Sequence, residues 1–145
     1  MTQEDKELLL RDICGRLSQG AVHVRITEED GTVSDRLLIG VINDWTPFKK
    51  VIAANYNQRK PIPIERVKPY LRPMSSMTEE ERKKMSDGSW LAFEPALNSI
   101  SGYCPETMTY NTFNVDFCLA HHFDYRGLIE KGLALEAPEG MYKTE

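Results

Sequence analysis

The stretch AVHVRITEEDGTVSDRLLIGVI, residues 21 to 42, decides the fold. Val22, Val24 and Ile26 alternate with His23, Arg25 and Thr27, the two-residue period of a half-buried strand. Glu28 to Thr32 follow as a turn built around Asp30-Gly31. Val33 to Ile42 then form a longer alternating run, with Val33, Leu37, Ile39 and Val41 on one apolar face. Two such runs joined by a short polar turn predict a β-hairpin.

Upstream, the period changes to that of a helix. Leu9, Leu10, Ile13, Cys14 and Leu17 recur at three- and four-residue spacing, which predicts an amphipathic helix of about four turns. Thr2 with Asp5 supplies a capping box, and Gly20 a left-handed stop. Downstream, NDWTPF (44 to 48 and its lead residue 43) reads as a second turn and KKVIAANYN as a shorter strand. Pro61 and Pro63 demote IPIERV to an edge strand. Val67, Tyr70 and Leu71 fit one helical turn after it. Thr78 with Glu81 is a second capping box, and acids at 79 to 81 before bases at 82 to 84 suit the helix dipole.

The expected architecture is α+β: an N-terminal helix on a small, strongly bent antiparallel sheet of the partial SH3-like barrel kind, followed by a helical C-terminal part. Residues 1–74 form the helix-and-sheet lobe, 75–77 a connector, and 78–145 a mainly helical lobe sharing its core. The breakers Gly88, Pro95, Gly102 and Pro105 make 86–111 an irregular loop. Helices are expected from Phe113 to about His122 and, capped by Asp124, from Tyr125 to Lys131. Gly132 is placed to stop the latter, with Leu133 meeting Leu128. Regular strands are expected only from 21 to 67, with none paired after 112.

Composition excludes several classes. With 145 residues, 41% hydrophobic and 28% charged, the chain is long enough to bury a core without disulfide or metal support. A formal charge of −4 disfavours a wholly basic nucleic-acid binder. Cys14, Cys104 and Cys118 cannot all pair within one chain, and reduced thiols in a cytoplasmic setting are expected. The acidic N-terminus is unlike a signal peptide, and no apolar window reaches the length of a membrane span.

Two blocks carry a resemblance. KPYLRPMSSMTEEER (68 to 82) and HHFDYRGLIEKGLALEAPEGMY (121 to 142) resemble a group of short, uncharacterised proteins of prophages and mobile elements of gut bacteria. The resemblance implies a small accessory protein; it implies no reaction, cofactor or catalytic residue.

Candidate chemistry is sparse. A metal site is not expected; its weak candidates are Cys104, Cys118 and His122. Cys118 and His122 lie four apart on a helix, but His121 points about 100° away from His122, and the spacing fits no zinc pattern. A cysteine nucleophile lacks a local base, and no catalytic motif or phosphate-binding glycine loop occurs, so no cofactor is expected. A basic-aromatic region comprises Lys49, Lys50, Tyr56, Arg59, Lys60, Arg66, Lys68 and Arg72, with Tyr70 among them and Glu65 the single acid. Residues 89 to 145, by contrast, hold three bases and eight acids. Charge with stacking rings suits single-stranded nucleic acid, while lysines on edge strands also guard against aggregation. The leading expectation is therefore a non-enzymatic accessory protein that binds a host or phage macromolecule, most readily a protein. A nucleic-acid-binding module is the alternative, and an enzyme comes third.

Overall fold

The computed structural model of the chain describes residues 1–42, 50–53, 62–84, 93–94, 99–100 and 112–142. The expected turn at NDWTPF, Cys104 and most of loop 86–111 lie outside the described residues.

The hairpin forms as the alternation predicts. β1 (His23–Thr27) and β2 (Val33–Ile42) pair antiparallel, with Arg25 opposite Asp35 and His23 opposite Leu37. The Asp30 carboxylate fastens the turn by accepting from the Thr32 N–H at 2.9 Å and its hydroxyl at 2.6 Å. The inward sense of β2 differs from expectation. Partners across a ladder share a face, so Ser34 and Arg36 lie on the side of Ile26 and Val24. Leu38 is the buried apolar residue there, while Val33, Leu37 and Ile39 face outward. A β-bulge between Leu38 and Gly40 shifts the register against β3 (Lys50–Ala53). Beyond that bulge the phase is reversed, and Val41 packs on the core.

Helix α1 (Gln3–Leu17) covers the inner face of the sheet. Its capping box is complete: the Thr2 hydroxyl accepts from the Asp5 N–H and the Asp5 carboxylate from the Thr2 N–H, both at 3.1 Å. Leu9, Leu10 and Ile13 are buried as expected, but Cys14 is exposed. Asp12 and Arg16 are buried in its stead, because their mutual ion pair lets that flank of the helix turn inward.

The sheet runs in the order β4-β3-β2-β1-β5-β8. β4 (Ile62–Pro63) is an edge strand, as Pro63 requires. A single 3-10 turn (Ile64–Arg66) follows, then β5 (Val67–Leu71), a strand where a helical turn was expected. Val67 opposite Ile26 and Lys68 opposite Arg25 extend the hairpin to a third strand. Pro69 is tolerated because β8 (Leu135–Glu136) pairs only with Tyr70 and Leu71. That pairing is parallel, so the sheet is mixed and does include a strand after residue 112. No pairing among the described residues closes it into a barrel.

The remaining elements are short. A 3-10 turn (Met74–Ser76) leads to α2 (Glu79–Lys84), whose capping box joins Thr78 and Glu81 at 3.1 and 3.2 Å. β6 (Phe93–Glu94) pairs with β7 (Ser99–Ile100) in a separate two-stranded sheet. α3 (Thr112–Ala120) ends in a Schellman turn: the Phe123 N–H donates to Cys118 C=O at 2.8 Å and the His122 N–H to Leu119 C=O at 3.4 Å. The expected helix from 125 to 131 is instead a turn. Asp124 accepts from the N–H groups of Leu128 and Ile129 (2.8 and 2.9 Å), because Gly127 at φ 72° delays the helical turn beyond it. The stop at Gly132 is as expected, with the Leu133 N–H on Leu128 C=O at 2.9 Å.

Two cores result. Leu9, Leu10 and Ile13 of α1, the inner residues of β1, β2 and β5, and Leu128, Leu133 and Ala134 form the larger. Met74, Met77, Cys118 and Phe123 form the smaller.

Candidate functional site

Two regions of this fold gather residues beyond the needs of packing: the outer face of the sheet, and the junction where the C-terminal segment meets β1 and β5.

On the outer face, the ladder registers set three strands side by side. Lys68, Arg25 and Asp35 form one row; His23 and Leu37 form the next, with Tyr70 two residues on from Lys68 along β5. Asp35 accepts from Arg25 Nε at 3.3 Å and from the Tyr70 hydroxyl at 2.8 Å. Burial, then the Asp35 hydrogen bond, raises the Tyr70 pKa. Arg66 at the rim pairs with Glu29 at 2.7 Å. Between these paired charges stand Val33, Leu37 and Ile39, 57%, 40% and 48% exposed. A half-buried strand ordinarily turns such residues inward. β2 turns them out and turns Ser34 and Arg36 in.

At the junction, His122 occupies the left-handed position of the Schellman turn, φ 65°, where glycine is usual. Its ring stacks on Tyr142 at 3.6 Å and 10°, and the His23 ring meets Tyr142 edge-on at 5.3 Å. The Tyr142 hydroxyl accepts from the His23 N–H at 3.0 Å and donates to Tyr70 C=O at 2.9 Å. Burial, reinforced by Arg16 and then His23, Arg72 and His121, holds the His122 pKa down at about 4. Burial pushes the Tyr142 hydroxyl up to about 12.

Behind the junction lies an ionic cluster. Arg16 donates to Asp12 through Nε at 2.6 Å and Nη2 at 3.0 Å, and to Phe123 C=O at 2.7 Å. Arg126 Nε approaches Asp12 at 3.4 Å without hydrogen-bond geometry. Arg16 Nη1 and the Tyr125 hydroxyl are buried without partners among the described residues. Arg72 grips Glu81 with both terminal nitrogens, at 2.7 and 2.8 Å, and lies 4.2 Å over the Phe123 ring. Burial alone would raise the Glu81 pKa; the Arg72 hydrogen bonds reverse this and bring it to about 2.

The sequence-derived candidates are scattered across this frame. Of the basic-aromatic set, Lys49, Tyr56, Arg59 and Lys60 lie outside the described residues, and Lys50 is placed by its backbone in β3. Arg66 and Arg72 are ion-paired, and Lys68 lies on the outer face beside Arg25. Of the metal candidates, burial pushes the Cys118 thiol up to about 12, and His122 leaves the helix at its left-handed turn. No group of three His, Cys, Asp or Glu side chains suited to a metal occurs among the described residues. Among them also, no helix is long and apolar enough to cross a membrane.

Sequence reasoning missed the Tyr142 bridge and the buried Asp12–Arg16 pair. The four-residue spacing of Asp12 and Arg16 was a visible signal of an ion pair; nothing local marks Tyr142 as the partner of His23. Comparison with protein-family models, curated proteins and solved structures finds no match to this chain.

Proposed function

We propose that this chain is a non-enzymatic accessory protein of a prophage or mobile element that binds a protein partner on the outer face of β1 and β2. One observation carries the reading: Val33, Leu37 and Ile39 stand exposed on a strand whose inward positions are polar. Clustered exposed apolar groups rimmed by charge mark protein contacts. The row Lys68–Arg25–Asp35 carries two cations and one carboxylate, which favours a partner segment presenting apolar side chains beside an acidic one. The resemblance to prophage proteins supplies the setting.

The nucleic-acid alternative draws on Lys68, which among the described residues has no ion-pair partner. The cations around it argue the other way: Arg25, Arg66 and Arg72 are each held by a carboxylate. A photo-crosslinking residue placed at Leu37, with exposed Glu130 as the control position, distinguishes the readings in cells of the source organism. The expected result is a protein adduct of one defined mass from Leu37 alone, lost in the Val33→Asp/Ile39→Asp variant. A nucleic-acid adduct would shift the function to the alternative, and equal labelling from both positions would remove the site.

A further inference from the structure

We propose that the stacked His122–Tyr142 pair is a pH-released latch fastening the C-terminal segment, residues 134 to 142, across the end of the β1–β5 seam. The latch is a property of the chain alone and does not rest on the sheet face having a partner.

The seam itself shows what the latch holds. The β1–β5 ladder pairs Ile26 with Val67, Arg25 with Lys68 and Val24 with Pro69. The next pair would be His23 with Tyr70, and there the Tyr142 hydroxyl stands between the strands. It takes the His23 N–H and gives its own proton to Tyr70 C=O. A side chain from the far end of the sequence thus completes the backbone hydrogen bonding of the two strands. Both halves of that bridge need a protonated phenol, and the Tyr142 pKa of about 12 keeps it so at every pH relevant to the latch.

The flat face of Tyr142 rests on the ring of His122, whose surroundings oppose a charge on it. Arg16 faces it from α1, Arg72 from the end of β5, His23 from β1 and His121 from its own turn. The carboxylates nearest these arginines are engaged: Asp12 with Arg16 at 2.6 Å, and Glu81 with Arg72 at 2.7 Å. His122 Nδ1 is buried with no hydrogen-bond partner among the described residues. An imidazolium there would add a donor without an acceptor and a cation without a counter-ion. The backbone at 122 and 123 is fixed by the Schellman hydrogen bonds and by the Arg72 N–H held on His122 C=O at 2.7 Å, so the turn itself stays in place. Relief comes from parting the stack.

The sign follows from linkage. Released His122 titrates at the ordinary value of 6.5 and latched His122 at about 4. Between those values the released state binds a proton that the latched state does not, so acid favours release. The opening equilibrium rises about 30-fold from pH 7.5 to pH 5. Above pH 6.5 the latch is fully fastened.

Native-state hydrogen exchange on the full chain, corrected for intrinsic rates, reads the latch at two amides. The His23 N–H donates to Tyr142, and the Ala137 N–H donates to Leu71 C=O at 2.8 Å. Both are expected to open about 30-fold more at pH 5 than at pH 7.5, and at either pH more readily than amides in the middle of α1, which report global unfolding. His122→Phe keeps an aromatic ring and removes the titration; its two amides should respond equally at both pH values. His121→Gln should retain the wild-type response. A wild-type change below about threefold, or a His122→Phe protein that still opens in acid, overturns the latch. Should phenylalanine prevent folding at this left-handed position, an NMR titration of the wild-type histidines decides the matter. A His122 ring titrating below pH 5 supports the latch, and one titrating at its ordinary value of 6.5 removes it.

Discussion

Asp12 and Arg16 are the two side chains whose burial costs most and is best compensated. Both side chains are 0% exposed, and Arg16 makes three hydrogen bonds, one of them to a carbonyl 107 residues away. Removing only one partner strands a buried charge, so Asp12→Ala is expected to lose about 3–5 kcal/mol in urea denaturation. Asp12→Leu with Arg16→Met should recover most of that loss, since a buried pair and a well-packed apolar pair are close in free energy. Strict additivity of the two single changes would show that the pair is not coupled. The residue scale was also where the sequence misled. The stripe through Cys14 looked apolar because cysteine ranks with core residues. The acceptor that lets Arg16 turn inward, Phe123 C=O, is invisible to any local window. Hydrophobicity placed the helix correctly and chose the wrong flank of it.

Among the elements, caps and turns were legible and strand sense was not. The boxes at Thr2–Asp5 and Thr78–Glu81 and the stop at Gly132 are local chemistry, settled within five or six residues. Strand sense depends on what lies across the ladder. Odd-numbered apolar residues of β2 outnumber Leu38, yet Val24 and Ile26 of β1 bring the even set inward, and the bulge then reverses the phase for Val41. β5 was misread for a related reason: Val67, Tyr70 and Leu71 suit a helix by spacing, while pairing on both flanks makes them strand. The outer face was therefore not legible as a site: Val33, Leu37 and Ile39 read as core-facing, and of the basic-aromatic candidates Lys68 lies there, with Arg66 at the rim. Glycine provides the test at this scale. Gly132 sits at φ 75° and Gly40 in ordinary backbone with open space at its Cβ position. Gly132→Ala should cost about 1 kcal/mol, and Gly40→Ala should be neutral or slightly stabilising. Equal melting temperatures for the two variants would contradict the Schellman assignment.

For the molecule as a whole, the punctuated stretch from Pro69 to Met77 marks a change of structure without marking an energetic boundary. Its Met74 and Met77 are buried with Cys118 and Phe123, so the segment is anchored to the core at both ends of the exposed Ser75-Ser76 step. Arg72 ties the two halves through its backbone as well as its guanidinium: its N–H donates to His122 C=O at 2.7 Å and its C=O accepts from the Asp124 N–H at 2.9 Å. Leu128, Leu133 and Ala134 complete the core beneath α1, and β8 covers the flank of β5. A fragment ending at residue 74 would keep α1 and the hairpin but lose those apolar neighbours, the Phe123 carbonyl that engages Arg16, and the Tyr142 bridge at the seam. Each lost leucine contact alone is of the size that single core truncations cost, roughly 2–5 kcal/mol, against a total stability for a domain of this size of about 5–15 kcal/mol. Residues 1–74 expressed alone are therefore expected to lack a cooperative urea transition, and the full chain to unfold in one step, with far-ultraviolet and near-ultraviolet circular dichroism coincident. A fragment that melts cooperatively at the midpoint of the full chain would show that the C-terminal residues decorate a self-sufficient lobe. Partial helicity without a transition is the outcome the shared core requires, because α1 has its own cap but cannot bury Asp12 and Arg16 without residues 123 to 126.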